Sequence, residues 1–187
     1  LLSRMKSLSK VGVIVAVIRI ENKCVKMLLP NKKVVDILPE IFGEIKKWLQ
    51  TSKDAPESGG YIIGYQHGKT KNISLEGVSH PYLLDIRNRL RFDIKDPRHN
   101  IFLMKAKLRK SYYMGVWHTH PQVMPEPSSI DWNDWYKTLD IDQTACEYAF
   151  FIIAGTTYIR VWVGDFQSKH INEIYECEKV GDLYKKA

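Results

Sequence analysis

The chain has 187 residues, 44% hydrophobic and 26% charged, the make-up of one globular domain able to bury its own core rather than of a fibrous or disordered chain. Its 28 Lys and Arg against 21 Asp and Glu leave a net charge of +7, which favours acidic partners without specifying a fold. Three cysteines, Cys24, Cys146 and Cys177, are odd in number and form no Cys-x-x-Cys pair. This argues against a disulfide framework or a thiolate zinc site and points to buried free thiols in a reducing compartment.

In chain order, residues 11–18 form an apolar run behind a basic start. The run is far shorter than the roughly 20 residues that cross a bilayer and lacks a small-residue cleavage site. Residues 11–20 therefore read as a buried strand, and the protein as cytoplasmic with no membrane partner. Residues 25–29 read as its hairpin partner and residues 33–37 as a third strand. Pro39 suits a first helical turn, whose amide protons have no intrahelical acceptor. Ile41, Phe42, Ile45, Trp48 and Leu49 then recur at helical spacing, so a helix is expected over residues 39–50.

Residues 61–65 and 73–79 read as strands. In the next stretch Leu84, Ile86, Leu90 and Phe92 alternate with Arg87, Arg89 and Arg91, which on one continuous strand gives a single row of guanidinium groups. Such a row is either a protective charged edge or a dock for an acidic protein surface, with nucleic acid as the rival ligand. A helix over 100–108, a strand over 112–120, a helix over 132–139, a hairpin of strands 148–154 and 157–163, and a last strand over 171–177 complete the pattern. Helices interspersed with mostly adjacent strands indicate an α/β or α+β domain on one central sheet, spanning residues 1–187 without an internal linker.

Chemistry concentrates in Trp117-His118-Thr119-His120-Pro121. On a strand, alternation puts Met114, Val116, His118 and His120 on one face, so the two imidazoles can converge on one ion. Pro121 ends the ladder, and a loop through Pro125 and Pro127 leads to Ser128-Ser129-Ile130-Asp131 at a helix start. Asp131 would return as a third, anionic ligand, with Asp134 and Glu126 as competing carboxylates. Two His and one carboxylate leave one position of a zinc ion open for water, the arrangement of a catalytic site. Each part also has a plainer reading: a His-x-His pair is common, and Ser-x-x-Asp is a helix cap. Trp117 and Trp132 flank ligand positions and either wall the cleft or belong to the core. His67, His80, His99 and His170 show no ligand spacing and fit surface or structural roles.

The string His118-x-His120, seven residues from Pro121 to Pro127, then Ser128-x-x-Asp131 resembles the JAMM motif of the JAB/MPN metallopeptidases. Upstream, Glu57-Ser58-Gly59-Gly60 leading into Tyr61-Ile62-Ile63-Gly64 resembles that family's glutamate segment. The resemblance runs from the residue 39 helix to the residue 157 strand and implies a curved mixed β-sheet flanked by helices. It also implies Zn2+ held by His118, His120 and Asp131, with Glu57 as general acid/base and Ser128 as donor to the oxyanion. Taken alone, Glu57 would be a solvated loop acid. The implied activity is hydrolysis of a peptide or isopeptide bond at the C-terminus of a ubiquitin-like protein or its conjugate. The wording is nearest the prokaryotic branch, whose members lie on mobile elements and beside ubiquitin-activating-like enzymes in antiviral defence loci. Two alternatives remain open: a RadC-type, DNA-associated JAMM protein, and a sulfur-carrier-processing peptidase.

Overall fold

The computed structural model describes residues 18–175. Eleven strands are described: β1 (Ile18–Arg19), β2 (Val25–Leu28), β3 (Val34–Ile37), β4 (Gly59–Gln66), β5 (Ile73–Val78), β6 (Ile86–Asn88), β7 (Arg91–Asp93), β8 (Tyr112–Thr119), β9 (Tyr148–Ala154), β10 (Tyr158–Asp165) and β11 (Ile171–Ile174). Three helices are described with them: α1 (Pro39–Ile45), α2 (Arg98–Leu108) and α3 (Ser129–Ile141). Nine strands form one sheet in the order β1-β10-β9-β8-β4-β5-β3-β2, with β11 also on β10, while β6 and β7 make a separate hairpin. Pairings are antiparallel except β3 with β5 and β8 with β9, so the sheet is mixed, as expected.

The strand β9 shows how the core divides. All seven of its residues are buried. Tyr148, Phe150, Ile152 and Ala154 pack with Ile41, Phe42 and Ile45 of α1 on one face, and Ala149, Phe151 and Ile153 with Trp135 and Leu139 of α3 on the other. A strand covered on both faces reads as a continuous apolar run, which residues 148–154 are. The site lies where β8 leaves this doubly covered centre.

Several expectations need correction. Residues 11–17 and Cys177 lie outside the described residues, and Ile18–Arg19 pairs with β10, not β2. The hairpin partner of β2 is β3. The helix of residues 39–50 stops at Ile45 and tightens into a 3₁₀ turn, Lys46–Trp48, which brings the Trp48 indole N–H to Glu44 Oε1 at 3.0 Å. Cys24 is exposed and Cys146 only partly buried.

The row of arginines does not form, because residues 86–93 are two short strands folded on each other. The Asn88 side chain accepts the Leu90 amide at 2.9 Å, the local bond by which Asn initiates turns. Both arms of a hairpin alternate, so a period of two cannot tell one long strand from two short ones. Arg87 faces Phe92 across the ladder and Arg91 pairs with Asp93 at 2.9 Å, so the three side chains share no line.

Met114 also leaves its expected face. Gly115 adopts φ +145°, where a Cβ would lie 1.9 Å from the Phe150 carbonyl oxygen, and the β4–β8 register skips Met114 between Gly115 and Tyr113. This bulge turns Met114 into the α1-side core beside Trp117, leaving Val116 on the α3 side with His118.

Candidate metal centre

His118 sits near the end of β8, between Gly59 of β4 and Ile153 of β9. His120 lies just past the strand, where its N–H still donates to the Ala154 carbonyl at 2.9 Å. Strand alternation sends both imidazoles to the same side and Thr119 to the other. The two Nε2 atoms end 3.2 Å apart. Asp131 comes back to them from α3, its Oδ1 3.0 Å from His118 Nε2 and its Oδ2 3.5 Å from His120 Nε2.

Asp131 is placed by the cap of its own helix. The Ser128 N–H donates to Asp131 Oδ2 at 2.6 Å, and the Asp131 N–H donates to Ser128 Oγ at 3.3 Å, a reciprocal capping box. The cap and the site therefore use the same two residues, and the structural reading of Ser128-x-x-Asp131 does not compete with the functional one. Of the rival carboxylates, Glu126 is drawn to Arg160 at 2.5 Å, and Asp134 lines the cleft while pairing with Lys137 at 3.3 Å.

Glu57 approaches from the opposite bank. It is 7% exposed, and one of its carboxylate oxygens lies with a ring nitrogen of each His within a mutual distance of 4.8 Å. Its segment runs tight against β8: a Cβ at Gly59 would meet the Trp117 carbonyl oxygen at 2.5 Å and the Phe92 ring at 2.6 Å. Glycine is required there by close approach of backbone and ring rather than by φ.

Ionisation separates the two carboxylates. Burial pushes Glu57 up to about 7, opposed by His118 and helped by Asp131 and Asp93. Burial also acts to raise Asp131, but the His118 ring and the hydroxyl and amide of Ser128 outweigh it and hold Asp131 far below the usual carboxylate range. Burial acts to lower His118, and Asp131 overrides it and raises it. His120 is lowered by burial and by the neighbouring His118 charge. One acid is thus a fixed anion and the other exchanges a proton near neutrality, the separation that lets two carboxyls take different roles.

The donors stand close enough together to share one cation. Ligand atoms roughly 2.0–2.1 Å from one zinc lie about 3.3–3.4 Å apart. The two imidazole nitrogens lie 3.2 Å apart, and two different Asp131 oxygens lie 3.0 Å from His118 Nε2 and 3.5 Å from His120 Nε2, distances of that order. Two imidazole nitrogens and a carboxylate suit a first-row divalent ion, zinc among them.

The cleft has a volume of about 340 Å³. The β6–β7 hairpin forms one wall through Leu90, Phe92 and Asp93, and α3 forms the other through Ile130, Asp134 and Trp135. Leu90 and Ile130 are 73% and 57% exposed, so an open apolar rim flanks the polar floor. Trp117 is buried, touches the cleft and donates its indole N–H to the Ser79 carbonyl at 2.9 Å, while Trp135, not Trp132, lines the α3 wall. Among the remaining histidines, His99 is fully buried between Ser79 Oγ at 2.7 Å and Asp85 Oδ2 at 2.9 Å, a structural role.

Sequence reasoning missed the support of the base. Thr119 Oγ1 accepts the Ser58 amide at 3.0 Å and donates to Gln50 Oε1 at 3.2 Å. The Asn88 carbonyl accepts the Glu57 amide at 2.7 Å. For Thr119 a signal existed, since the residue between two same-face histidines must face the opposite side. For Asn88, a backbone acceptor on a separate hairpin, none did.

The family model for prokaryotic homologs of the JAB domain matches residues 44–166. The chain is 30% identical over 148 residues to a CD-NTase/cGAS isopeptidase of Escherichia coli (strain TW11681), covering 78% of this chain and 88% of that protein. It is 30% identical over 114 residues to a CD-NTase/cGAS isopeptidase of Vibrio cholerae serotype O1, covering 59% and 72%. Among solved structures, protein DSY2949 from Desulfitobacterium hafniense superposes with a TM-score of 0.50 at 19% identity, covering 73% of this chain and 87% of that one, a likeness of fold. With the matched region enclosing Glu57, both histidines and Asp131, the chain belongs to the prokaryotic JAB-domain family.

Proposed function

We propose that this protein is a zinc-dependent isopeptidase, hydrolysing the bond that joins the C-terminus of a ubiquitin-like protein to an amine of its conjugate. The observation that carries this reading is the convergence of His118 Nε2, His120 Nε2 and the Asp131 carboxylate within about 3.5 Å of one another, faced by a buried Glu57 carboxyl pushed up to about 7. His118, His120 and Asp131 are the proposed ligands. Glu57 is the proposed acid/base and Ser128 the oxyanion donor. The bound cation supplies Lewis acidity, which polarises a carbonyl and acidifies water.

The chain's own groups account for the remaining steps. Glu57 accepts a proton from water as the water oxygen attacks the amide carbon, then returns that proton to the leaving amine as the C–N bond breaks. Asp131, pinned by the Ser128 amide, remains ionised throughout. Ser128 Oγ accepts from the Asp131 amide, so its own hydroxyl hydrogen is free to be donated to the carbonyl oxygen as charge develops there. Leu90 on one rim and Ile130 on the other give an extended tail apolar contact.

The relatives' names support a conjugate that contains a CD-NTase or cGAS-like protein as the substrate, and with it the antiviral defence setting. The DNA-associated alternative gains no support from the arginines, which the hairpin separates. Sulfur-carrier processing would use the same site on a different C-terminus. The test is to incubate purified protein with a ubiquitin-like protein fused or conjugated to a CD-NTase, with and without a chelator. Cleavage that ignores the chelator refutes metal dependence, and failure to cleave any ubiquitin-like conjugate refutes the substrate class.

A further inference from the structure

Glu57 lies outside regular structure, two residues before β4 begins. A carboxylate on such a segment performs acid–base work only if its neighbours hold it to roughly 0.5 Å. Here both of its backbone polar groups are taken up by β6. Its amide donates to the Asn88 carbonyl at 2.7 Å, and its carbonyl accepts from Arg87 Nε at 3.0 Å. A second arm of the same guanidinium, Nη2, donates to Ser58 Oγ at 2.5 Å.

The guanidinium is itself braced. It lies over the Trp48 indole with 5.4 Å from its central carbon to the ring centroid, and Glu44 fixes that indole through its N–H. Nearby arginines behave differently: Arg91 is bound to Asp93 and Arg98 to Asp96, each through a carboxylate. Arg87 instead directs its fork at a backbone carbonyl and a hydroxyl of two consecutive residues, one of them Glu57. A planar fork with two donors in fixed relation can set the direction of a chain segment, which a single ammonium cannot.

We propose that Arg87 is a positioning residue for Glu57, aiming the carboxyl at the His118–His120 pair by clamping the Glu57 carbonyl and the Ser58 hydroxyl against Trp48. The inference rests on the reading of Glu57 as the acid/base. It gives the 3₁₀ turn after α1 a function, because that turn delivers Trp48 to the back of the guanidinium. It also makes the hairpin more than a wall of the cleft, since the strand that bears Arg87 connects directly to Leu90 and Phe92 on the substrate side.

The test is a double-mutant cycle on kcat, using a ubiquitin-like fusion and the full chain loaded with zinc. Arg87→Ala should lower kcat by roughly 10–100-fold, the scale expected for a reacting group displaced by about 1 Å. KM and bound zinc should stay within about twofold of wild type. In a Glu57→Gln background the same substitution should cost nothing further, because its effect passes through the base. Arg87→Lys should be as slow as Arg87→Ala, since it keeps the charge and loses the fork. Equal losses in both backgrounds, recovery by Lys, or a kcat loss matched by zinc loss would each overturn the proposal. If Arg87→Ala does not fold, Arg87→Lys, whose stem still covers Trp48, carries the same cycle. A second readout needs no turnover: the crystal structure of metal-free Arg87→Lys should show the Glu57 carboxyl displaced from its wild-type place, and an unmoved carboxyl defeats the proposal. Should the wild-type protein cleave no ubiquitin-like substrate, the functional reading fails while this structural measurement still decides on Arg87.

Discussion

On one bank of the cleft, His118, His120 and Asp131 come from a single run of fourteen residues, 118–131, two from a strand end and one from the next helix start. On the other bank Glu57 stands 61 residues before His118, held by a hairpin that does not belong to the main sheet. The first bank is placed by local rules: alternation along β8, a proline that ends the ladder, and a capping box that orients Asp131 as it starts α3. The second is placed by tertiary contacts to Arg87 and Asn88 of β6 and to Thr119, itself bonded to Gln50, from three different parts of the chain. Metal binding and proton transfer therefore depend on separate supports, and substitutions should separate them.

The largest effect should come from the ligand bank. His118→Ala or Asp131→Ala removes one of three converging donors, and each should lower zinc affinity by more than the ~10–100-fold typical of outer partners, with activity lost alongside. Metal analysis of the purified variants measures this directly, and full zinc content in both would move the site elsewhere. Next is Glu57→Gln, which keeps the size and the hydrogen-bonding shell but cannot take a proton. It should retain zinc and lose about 10²–10⁴-fold in kcat. If zinc and activity fall together in that variant, the two banks are not independent, and Glu57 is a ligand rather than the base.

Ser128 belongs to the ligand bank but reaches across to the chemistry, so it sharpens the distinction. Ser128→Ala removes the cap acceptor for Asp131, costing about 1 kcal/mol of stability. It also removes a hydroxyl donor, which at an oxyanion position is worth about 10²–10³ in kcat. A fall in melting temperature with unchanged kcat would leave Ser128 as a cap alone.

This division also explains what was legible in the sequence. Local periodicity gives β3, β4, β5, β8, β9, β10 and α3 close to their observed bounds, while the mixed sheet follows only from the family resemblance. The near approach of His118, His120 and Asp131 is written in residue spacing, whereas the preference for Asp131 over Asp134 and Glu126 rests on the family resemblance. The errors fall where two structures share one pattern. A hairpin alternates like a strand, so Arg87, Arg89 and Arg91 looked like one row until the Asn88 turn divided them. A bulge at Gly115 shifts the alternation by one, so Met114 fell on the wrong face. Pairing partners such as β1 with β10 are non-local and leave no trace in a window of ten residues.

The smallest expected effect concerns the metal-free protein and tests whether the Glu57 bank is as dry as it looks. Burial raises Glu57 from 4.5 to about 7, so the folded chain holds this proton more tightly than the unfolded one. Below about pH 4.5 the carboxyl is protonated in both states, and burial costs nothing from ionisation. Between about pH 4.5 and 7 the unfolded chain releases the proton and the folded chain keeps it, so the folded state loses stability as pH rises, levelling off above 7. At ~1.4 kcal/mol per unit, the full difference is on the order of 3–4 kcal/mol, of which the larger part falls between pH 5 and pH 8. Glu57→Gln carries no such proton. Its melting temperature relative to wild type, both free of metal, should therefore rise between pH 5 and pH 8, by roughly 4–10 °C for a domain of this size. A bound cation next to Glu57 stabilises its anion, so zinc should shrink the gap. The measurement is a pair of thermal melts at each pH with chelator and with zinc. A gap that does not change with pH would mean that water reaches Glu57 freely, and the base would then owe its role to proximity alone and not to a raised affinity for its proton.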